Sequence, residues 1–221
     1  MKYTEEMTKT RESIIGYVGP MFAKKTLLML HDVSAAEATG RKCLVFKPNI
    51  DDRFANNVVR SRAGGEHLAY SIPINGVQKI YDIVSKQKEV DIAAFDEVQF
   101  FSPKIVKVIK NLAQSGIQIV FSGLNRDYRG NAFPVMEKLI PLATDLTVVE
   151  AKCMASINGD IRLCGANAQM TQRLLNGKPD SYKSPTVIIE KPGTSITYQA
   201  RCLEHWTVPD IPLNHKLHHK K

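Results

Sequence analysis

The stretch Ile92-Ala93-Ala94-Phe95 closes a run from Val90 that is apolar but for Asp91, and it stops at two adjacent carboxylates, Asp96 and Glu97. A short apolar run bounded by charge predicts a strand covered on both faces, the kind that builds parallel sheets. Open α/β sheets bind ligands beyond the carboxyl ends of their strands. A carboxylate pair at that place suits chemistry on a nucleotide. One carboxylate would hold a magnesium ion, directly or through water, and the other would take a proton from an attacking hydroxyl. Taken alone, the pair reads equally well as the start of a solvated loop, and the flanking sequence has to decide.

Upstream, Ser13 to Val18 predicts a first strand, and a helical pattern runs from Lys25-Thr26 to about Thr39. Between them lies Gly19-Pro20-Met21-Phe22-Ala23-Lys24. Strand, loop and Lys-Thr opening a helix is the context of a phosphate-binding loop, whose N–H groups cradle phosphate oxygens. Residues Gly19 to Thr26 are the phosphate-binding candidates. Lys25 would reach the β- and γ-phosphates, and the Thr26 hydroxyl would bind magnesium. The usual motif has a second glycine where Lys24 stands, which keeps a Cβ away from the phosphate. A second strand, Arg41 to Phe46 with a buried Cys43, leads into Lys47 to Arg53, where Asp51 would serve magnesium and Arg53 phosphate. Ser61 to Gly64 is a further candidate phosphate-facing loop.

Val77 to Lys86 and Pro103 to Gln114 carry helical apolar spacing. Ile117 to Phe121, apolar but for Gln118, predicts another buried strand, opening onto a loop from Ser122 to Phe133. Pro134 to Leu142 predicts a short helix and Leu146 to Ala151 a fifth strand. Four successive strands that each open on a polar or glycine-bearing loop predict one common binding edge. The fold class is therefore α/β, a P-loop-type parallel sheet flanked by helices.

From Lys152 the helical periodicity stops. Cys202-x-x-His205 has the spacing of a zinc-ligand pair. Cys153 and Cys164 flank a predicted hairpin turned at Asn158-Gly159, which would bring two more thiols together. Their spacing is wider than the usual knuckle. The stretch from Lys178 to Thr197 is long enough to predict a functional loop. The expected domains are a flexible N-terminus (1–12), an α/β nucleotide-binding domain (13–151), a zinc and substrate-loop subdomain (152–206) and a basic, disordered tail (207–221).

The formal charge of +8 raises nucleic acid as a partner, but Lys216, Lys220 and Lys221 crowd the tail, and no nucleic-acid-binding motif is present. A zinc-containing nucleic-acid binder would leave the sheet-edge loops unexplained. No apolar run approaches the ~20 residues of a membrane span. Met1 to Arg11 is polar with both signs of charge, unlike a signal peptide. The expectation is a cytoplasmic protein with its cysteines reduced or metal-bound.

In chain order the set resembles the thymidine kinase family of the small, zinc-bearing type. The matching residues are Gly19-Pro20-Met21-Phe22 with Lys25-Thr26, Phe46-Lys47-Pro48 with Asp51 and Arg53, and Asp96-Glu97-Val98-Gln99-Phe100-Phe101. They continue with Gly123-Leu124, Asp127-Tyr128-Arg129-Gly130 and Phe133, then Cys164-Gly165, Ala168 and Thr171-Gln172-Arg173, and end on Tyr198, Cys202 and His205. The resemblance implies ATP-dependent phosphorylation of the thymidine 5′-hydroxyl to give dTMP, in deoxynucleotide salvage for DNA synthesis, with deoxyuridine a second substrate. It implies Glu97 as catalytic base, magnesium with ATP held by Thr26, Asp51 and Asp96, and structural zinc on Cys153, Cys164, Cys202 and His205. It places Met21, Phe101, Leu124, Tyr128, Phe133 and Tyr198 at the nucleoside, under a loop that closes over the base. It further implies a homotetramer inhibited by dTTP. Lys24 for glycine, about eight extra residues between Cys153 and Cys164, Asn125 for aspartate and Leu203 for a basic residue depart from the pattern. Lys24 motivates an alternative, a degenerate relative that binds nucleoside without efficient turnover.

Overall fold

The apolar runs of the sequence become strands and the runs of helical spacing become the helices between them. The computed structural model describes residues 13–50, 57–157, 163–188, 193 and 195–212. In chain order the first elements are β1 (Ile14–Gly19), α1 (Lys25–Ala38), β2 (Cys43–Asn49), β3 (Val58–Arg60), β4 (Glu66–Leu68), β5 (Tyr70–Pro73) and α2 (Lys79–Ser85). Then come β6 (Ile92–Phe95), α3 (Ile105–Gln114), β7 (Gln118–Leu124), α4 (Pro134–Leu139) and β8 (Asp145–Val148). The remaining strands are β9 (Ala151–Lys152), β10 (Asn167–Ala168), β11 (Met170–Leu175), β12 (Lys178–Pro179) and β13 (Ile196–Arg201). The chain divides into two compact units. The first takes the chain up to Tyr17 with Thr26–Gly123 and Pro134–Thr147, and the second takes Val18–Lys25, Leu124–Phe133 and the chain from Val148.

The first unit is organised on a six-stranded sheet of order β5-β2-β6-β7-β1-β8. The β5–β2, β2–β6 and β6–β7 ladders are parallel. β6 is buried at all four positions, because each face of a central parallel strand is covered and alternation would leave a polar side chain dry. Register aligns Tyr70, Phe46, Phe95 and Phe121 across four strands. The Phe46 ring lies 5.6 Å from Tyr70 and 5.3 Å from Phe95, in stacked pairs. This aromatic row is the last layer before Asp96. Each fully buried phenylalanine in it contributes roughly 1.5–3 kcal/mol from desolvation. α3 buries Ile105, Val108, Ile109, Leu112 and Ala113, the i, i+3, i+4, i+7, i+8 stripe that its sequence spacing predicts.

The boundaries shift in places. β2 reaches Asn49 and β7 reaches Leu124, each further than expected. The fifth strand ends at Val148, and Ala151–Lys152 pairs with β10 in a separate two-stranded ladder. The edge strand β5 and the β3–β4 hairpin are additions, too short and too exposed to show in an apolar pattern. Ser61 to Gly64, read as a phosphate-facing loop, is the turn of that hairpin, with the Ser61 N–H donating to the Gly65 carbonyl.

The second unit is built on a smaller scale. β11 pairs antiparallel with β13 from Met170↔Arg201 to Leu175↔Ile196, and β12 adds a short third strand. One apolar cluster in it consists of Ala23, Ala151, Cys153, Ala155, Ala168, Ala200 and Cys202, and the unit also buries Leu124, Phe133, Met170, Leu174, Ile196 and Val208. The largest side chain buried in this unit is Arg173, fully removed from solvent.

Candidate active site

In the first unit, the end of β6 delivers its two carboxylates differently. Asp96 is buried, accepts from the Thr26 hydroxyl at 2.9 Å and from the Ser122 hydroxyl, and its own N–H donates to the Phe46 carbonyl. Burial and the neighbouring Glu97 charge push its carboxyl up to about 6, against the pull of the Ser122 and Thr26 hydroxyls. Glu97 sits at φ 48°, ψ 40°, a left-handed conformation that costs a non-glycine residue ~1 kcal/mol or more. A 3₁₀ turn over Val98–Phe100 follows, closed by Phe100 N–H to the Glu97 carbonyl. The Gln99 amide donates to the Glu97 carboxylate at 2.5 Å. Lys47 donates to the Val58 carbonyl at 2.8 Å, and burial pushes its ammonium pKa down against the attraction of Asp96.

The loop preceding α1 belongs to the second unit. Gly19 has no alternative there, since a Cβ would stand 2.1 Å from the Val149 carbonyl oxygen. The Met21 N–H donates to the Thr171 hydroxyl at 3.0 Å. Lys25 is buried and donates to the Pro20 carbonyl at 2.6 Å, an ammonium wrapped by its own loop. Phe22 and Lys24 both take positive φ, 67° and 61°. The glycine that the motif expects at position 24 is thus replaced by an exposed lysine in the left-handed conformation that glycine adopts freely.

Arg173 organises the long loop of this unit. Its guanidinium donates to Asp180 at 2.7 Å and to the Thr186 carbonyl at 3.3 Å, and stands 3.6 Å over the Tyr128 ring. The Tyr128 hydroxyl donates to the carbonyls of Ser181 and Ser184 at 2.7 and 3.1 Å. Arg129 pairs with Asp127 at 2.9 Å and reaches the Thr186 hydroxyl at 2.5 Å. Tyr198 donates to the Ile188 carbonyl at 2.6 Å. Trp206 donates to the Tyr128 carbonyl at 3.0 Å.

Cys153, Cys164, Cys202 and His205 converge, with one ligand atom from each lying within 4.8 Å of all the others. The hairpin explains how widely spaced thiols meet. Cys153 N–H donates to the Ala166 carbonyl, Cys164 N–H to the Ala155 carbonyl, and Ser156 bridges Leu163. The backbone bonds that place both thiols are closed by that bridge. Burial works against a Cys153 thiolate, but the N–H groups of Cys202 and Ala155 and the neighbouring thiols outweigh it and lower the pKa. Three thiols and an imidazole suit a tetrahedral, borderline-soft ion.

The family model described as thymidine kinase matches residues 12–206. The chain belongs to the thymidine kinase family. A thymidine kinase of Thermococcus kodakarensis is 36% identical over 194 residues, covering 87% of this chain and 92% of that one. A thymidine kinase of Mycoplasmoides gallisepticum is 36% identical over 208 residues, covering 94% of this chain and 87% of that one. Two solved structures, a DNA replication initiation factor and the replication initiator DnaA bound to AMPPCP and single-stranded DNA, share 16% and 15% identity. Their TM-scores are 0.37 and 0.38, over 64% and 65% of this chain and 41% and 42% of theirs. The chain spans about two fifths of those two proteins, and so partial a likeness carries no argument.

Of the residues that the thymidine kinase resemblance singles out, the structure brings Thr26 and Asp96 together with Glu97 adjacent, and gathers all four Cys/His ligands. Phe101, Leu124, Tyr128 and Phe133 are buried, and Met21 and Tyr198 are half-buried. Asp51 and Arg53 lie outside the described residues, as do Asn158-Gly159 and the basic tail from residue 213. Sequence reasoning gave no role to Ser122, Gln99 or Asp180. Asp180 left one signal, a carboxylate in a stretch otherwise rich in proline, glycine and serine. The degenerate alternative gains no support.

Proposed function

We propose the following division of labour for ATP-dependent phosphorylation of thymidine, the reaction of the family to which this chain belongs. Glu97 takes the proton of the 5′-hydroxyl as that oxygen bonds to the γ-phosphorus. The bond from the γ-phosphorus to the β,γ-bridging oxygen breaks, ADP leaves, and dTMP remains. Phosphoryl transfer asks the protein mainly for positioning and charge neutralisation. Lys25 and the loop N–H groups from Gly19 to Thr26, with Arg53, neutralise the phosphates. Magnesium bound with ATP would neutralise phosphate charge, and the hard oxygen donors of Thr26, Asp96 and Asp51 suit it. The observation that carries this reading is the Thr26–Asp96–Glu97 arrangement, a hydroxyl and carboxylate joined at 2.9 Å beside a second carboxylate held by its own amide partner.

Met21, Phe101, Leu124, Phe133, Tyr128 and Tyr198 contact the nucleoside in this reading, and the loop from Asp180 covers it. Deoxyuridine, lacking one methyl group, is a second substrate, because a single methyl in an apolar pocket is worth only about 1–3 kcal/mol. Zinc on the four Cys/His ligands is structural. The homotetramer, dTTP as feedback inhibitor and a cytoplasmic location follow from the resemblance; no helix among the described residues is long and apolar enough to cross a membrane.

Phosphoryl transfer from ATP to thymidine with magnesium tests the reading directly. Glu97→Gln is expected to fold and bind thymidine while losing roughly 10²–10⁴ in kcat. Turnover by Glu97→Gln equal to that of the natural chain would remove Glu97 from the role of base.

A further inference from the structure

We infer that Gln99 is a positioning residue for phosphoryl transfer, fixing the Glu97 carboxylate through its side-chain amide, and that Gly123 is glycine to leave room for that amide. The inference rests on the reading of Glu97 as base. Glutamate has three rotatable side-chain bonds, and a base displaced by ~1 Å from its proton loses on the order of 10²-fold in rate. Here the backbone end is set by the left-handed φ of Glu97 and by the turn bonds from Phe100 N–H and Phe101 N–H to the Glu97 and Val98 carbonyls. The carboxylate end is set by Gln99, whose amide donates to Oε2 at 2.5 Å from a side chain that is 4% exposed.

Gly123 supplies the independent observation. It lies near the end of β7, outside the left-handed region, so its backbone makes no demand for glycine. A Cβ there would stand 2.5 Å from Gln99 Oε1, 3.2 Å from Val98 Cγ1 and 3.5 Å from Met136 Cε. The first contact is with the far end of a flexible side chain. Gly123→Ala would therefore swing the Gln99 amide while Val98 gives by a few tenths of an ångström and Met136 stays in ordinary contact. The fold survives and the amide loses its place.

The test compares kcat, thymidine KM and thymidine binding for Glu97→Gln, Gln99→Leu, Gly123→Ala and the Glu97→Gln/Gln99→Leu pair. Gln99→Leu is expected to lower kcat by roughly 10–100-fold with thymidine affinity within about threefold of the natural chain. In the Glu97→Gln background the same change is expected to cost less than about twofold, because a residue that acts through Glu97 has nothing left to position. Gly123→Ala is expected to shift kcat in the same direction, and it carries the test if Gln99→Leu does not fold. A slow Glu97→Gln beside wild-type-like Gln99→Leu and Gly123→Ala overturns the inference and leaves the base in place. Losses that multiply in the double variant assign Gln99 a merely structural role. A Glu97→Gln enzyme as fast as the natural chain instead ends the reading of Glu97.

Discussion

The first unit buries phenylalanine, isoleucine and valine in rows across a parallel sheet, whereas the second mixes scattered large apolar side chains with a cluster of alanines and thiols and, elsewhere, a fully buried arginine. A cluster of alanines removes little apolar surface from water, so that part of the second unit leans on specific polar contacts and on its thiols. Desolvation in the first unit is spread over many side chains, and no single one is indispensable. In the second, a larger part rests on a few polar and thiol groups, Arg173 with Asp180 and the Cys/His cluster among them. The difference teaches where each unit is vulnerable, to cavities in one case and to charge and coordination in the other.

The largest effect that would sharpen this contrast is metal removal. If the Cys/His cluster holds zinc as proposed, stripping it by chelation, or Cys202→Ser, is expected to destabilise the second unit by several kcal/mol, on the order of 5 or more. Hydrogen exchange would show β11 and β13 losing protection while β6 and β7 keep theirs. Equal loss in all four strands would break the comparison. Next is Asp180→Ala, which leaves Arg173 buried without its carboxylate and is expected to cost about 3–5 kcal/mol, read by urea unfolding. A cost near that of an exposed pair would show the ion pair to be expendable.

Within the first unit the sensitive charge is Asp96. Its folded carboxyl, at about 6, stands above the ordinary 3.8. The folded state therefore binds the proton more tightly, and metal-free protein is expected to lose stability as pH rises from about 4 to about 6, by on the order of 2–3 kcal/mol. Thermal unfolding of Asp96→Asn should lose that slope. An unchanged slope would place the titration elsewhere. The smallest effect is at Lys24. Replacing it with glycine relieves a left-handed lysine and is expected to raise stability by ~1 kcal/mol, less the entropy that glycine gives back. A fall in melting temperature would mean that the lysine side chain makes contacts worth more than its strain.

Much of the first unit was legible because periodicity is physics acting along the chain. The α3 stripe and the buried run of β6 follow from solvent exposure alone. The edge strand β5 and the β3–β4 hairpin were not, since short exposed strands owe their form to partners distant in sequence. In the second unit, Cys202 and His205 could be paired from spacing, but the Cys153–Cys164 arms needed the ladder closed by Ser156 and Leu163. That Arg173 and Asp180 pair was not legible for the same reason. A buried ion pair leaves no periodic trace, and its meaning lies in who stands opposite. Gln99 stood in full view within its motif, yet only the space left by Gly123 discloses what its amide does.

The Ser156–Leu163 bridge carries a consequence for how such a chain tolerates change. Among the described residues, the backbone bonds that hold Cys153 and Cys164 lie on the protein side of that pair, so the placement of the two sulfurs does not depend on how many residues intervene beyond it. Closing a longer flexible loop adds only ~0.6 kcal/mol per doubling of its length. A longer or shorter connection between Ser156 and Leu163 is therefore expected to leave the placement of Cys153 and Cys164 unchanged.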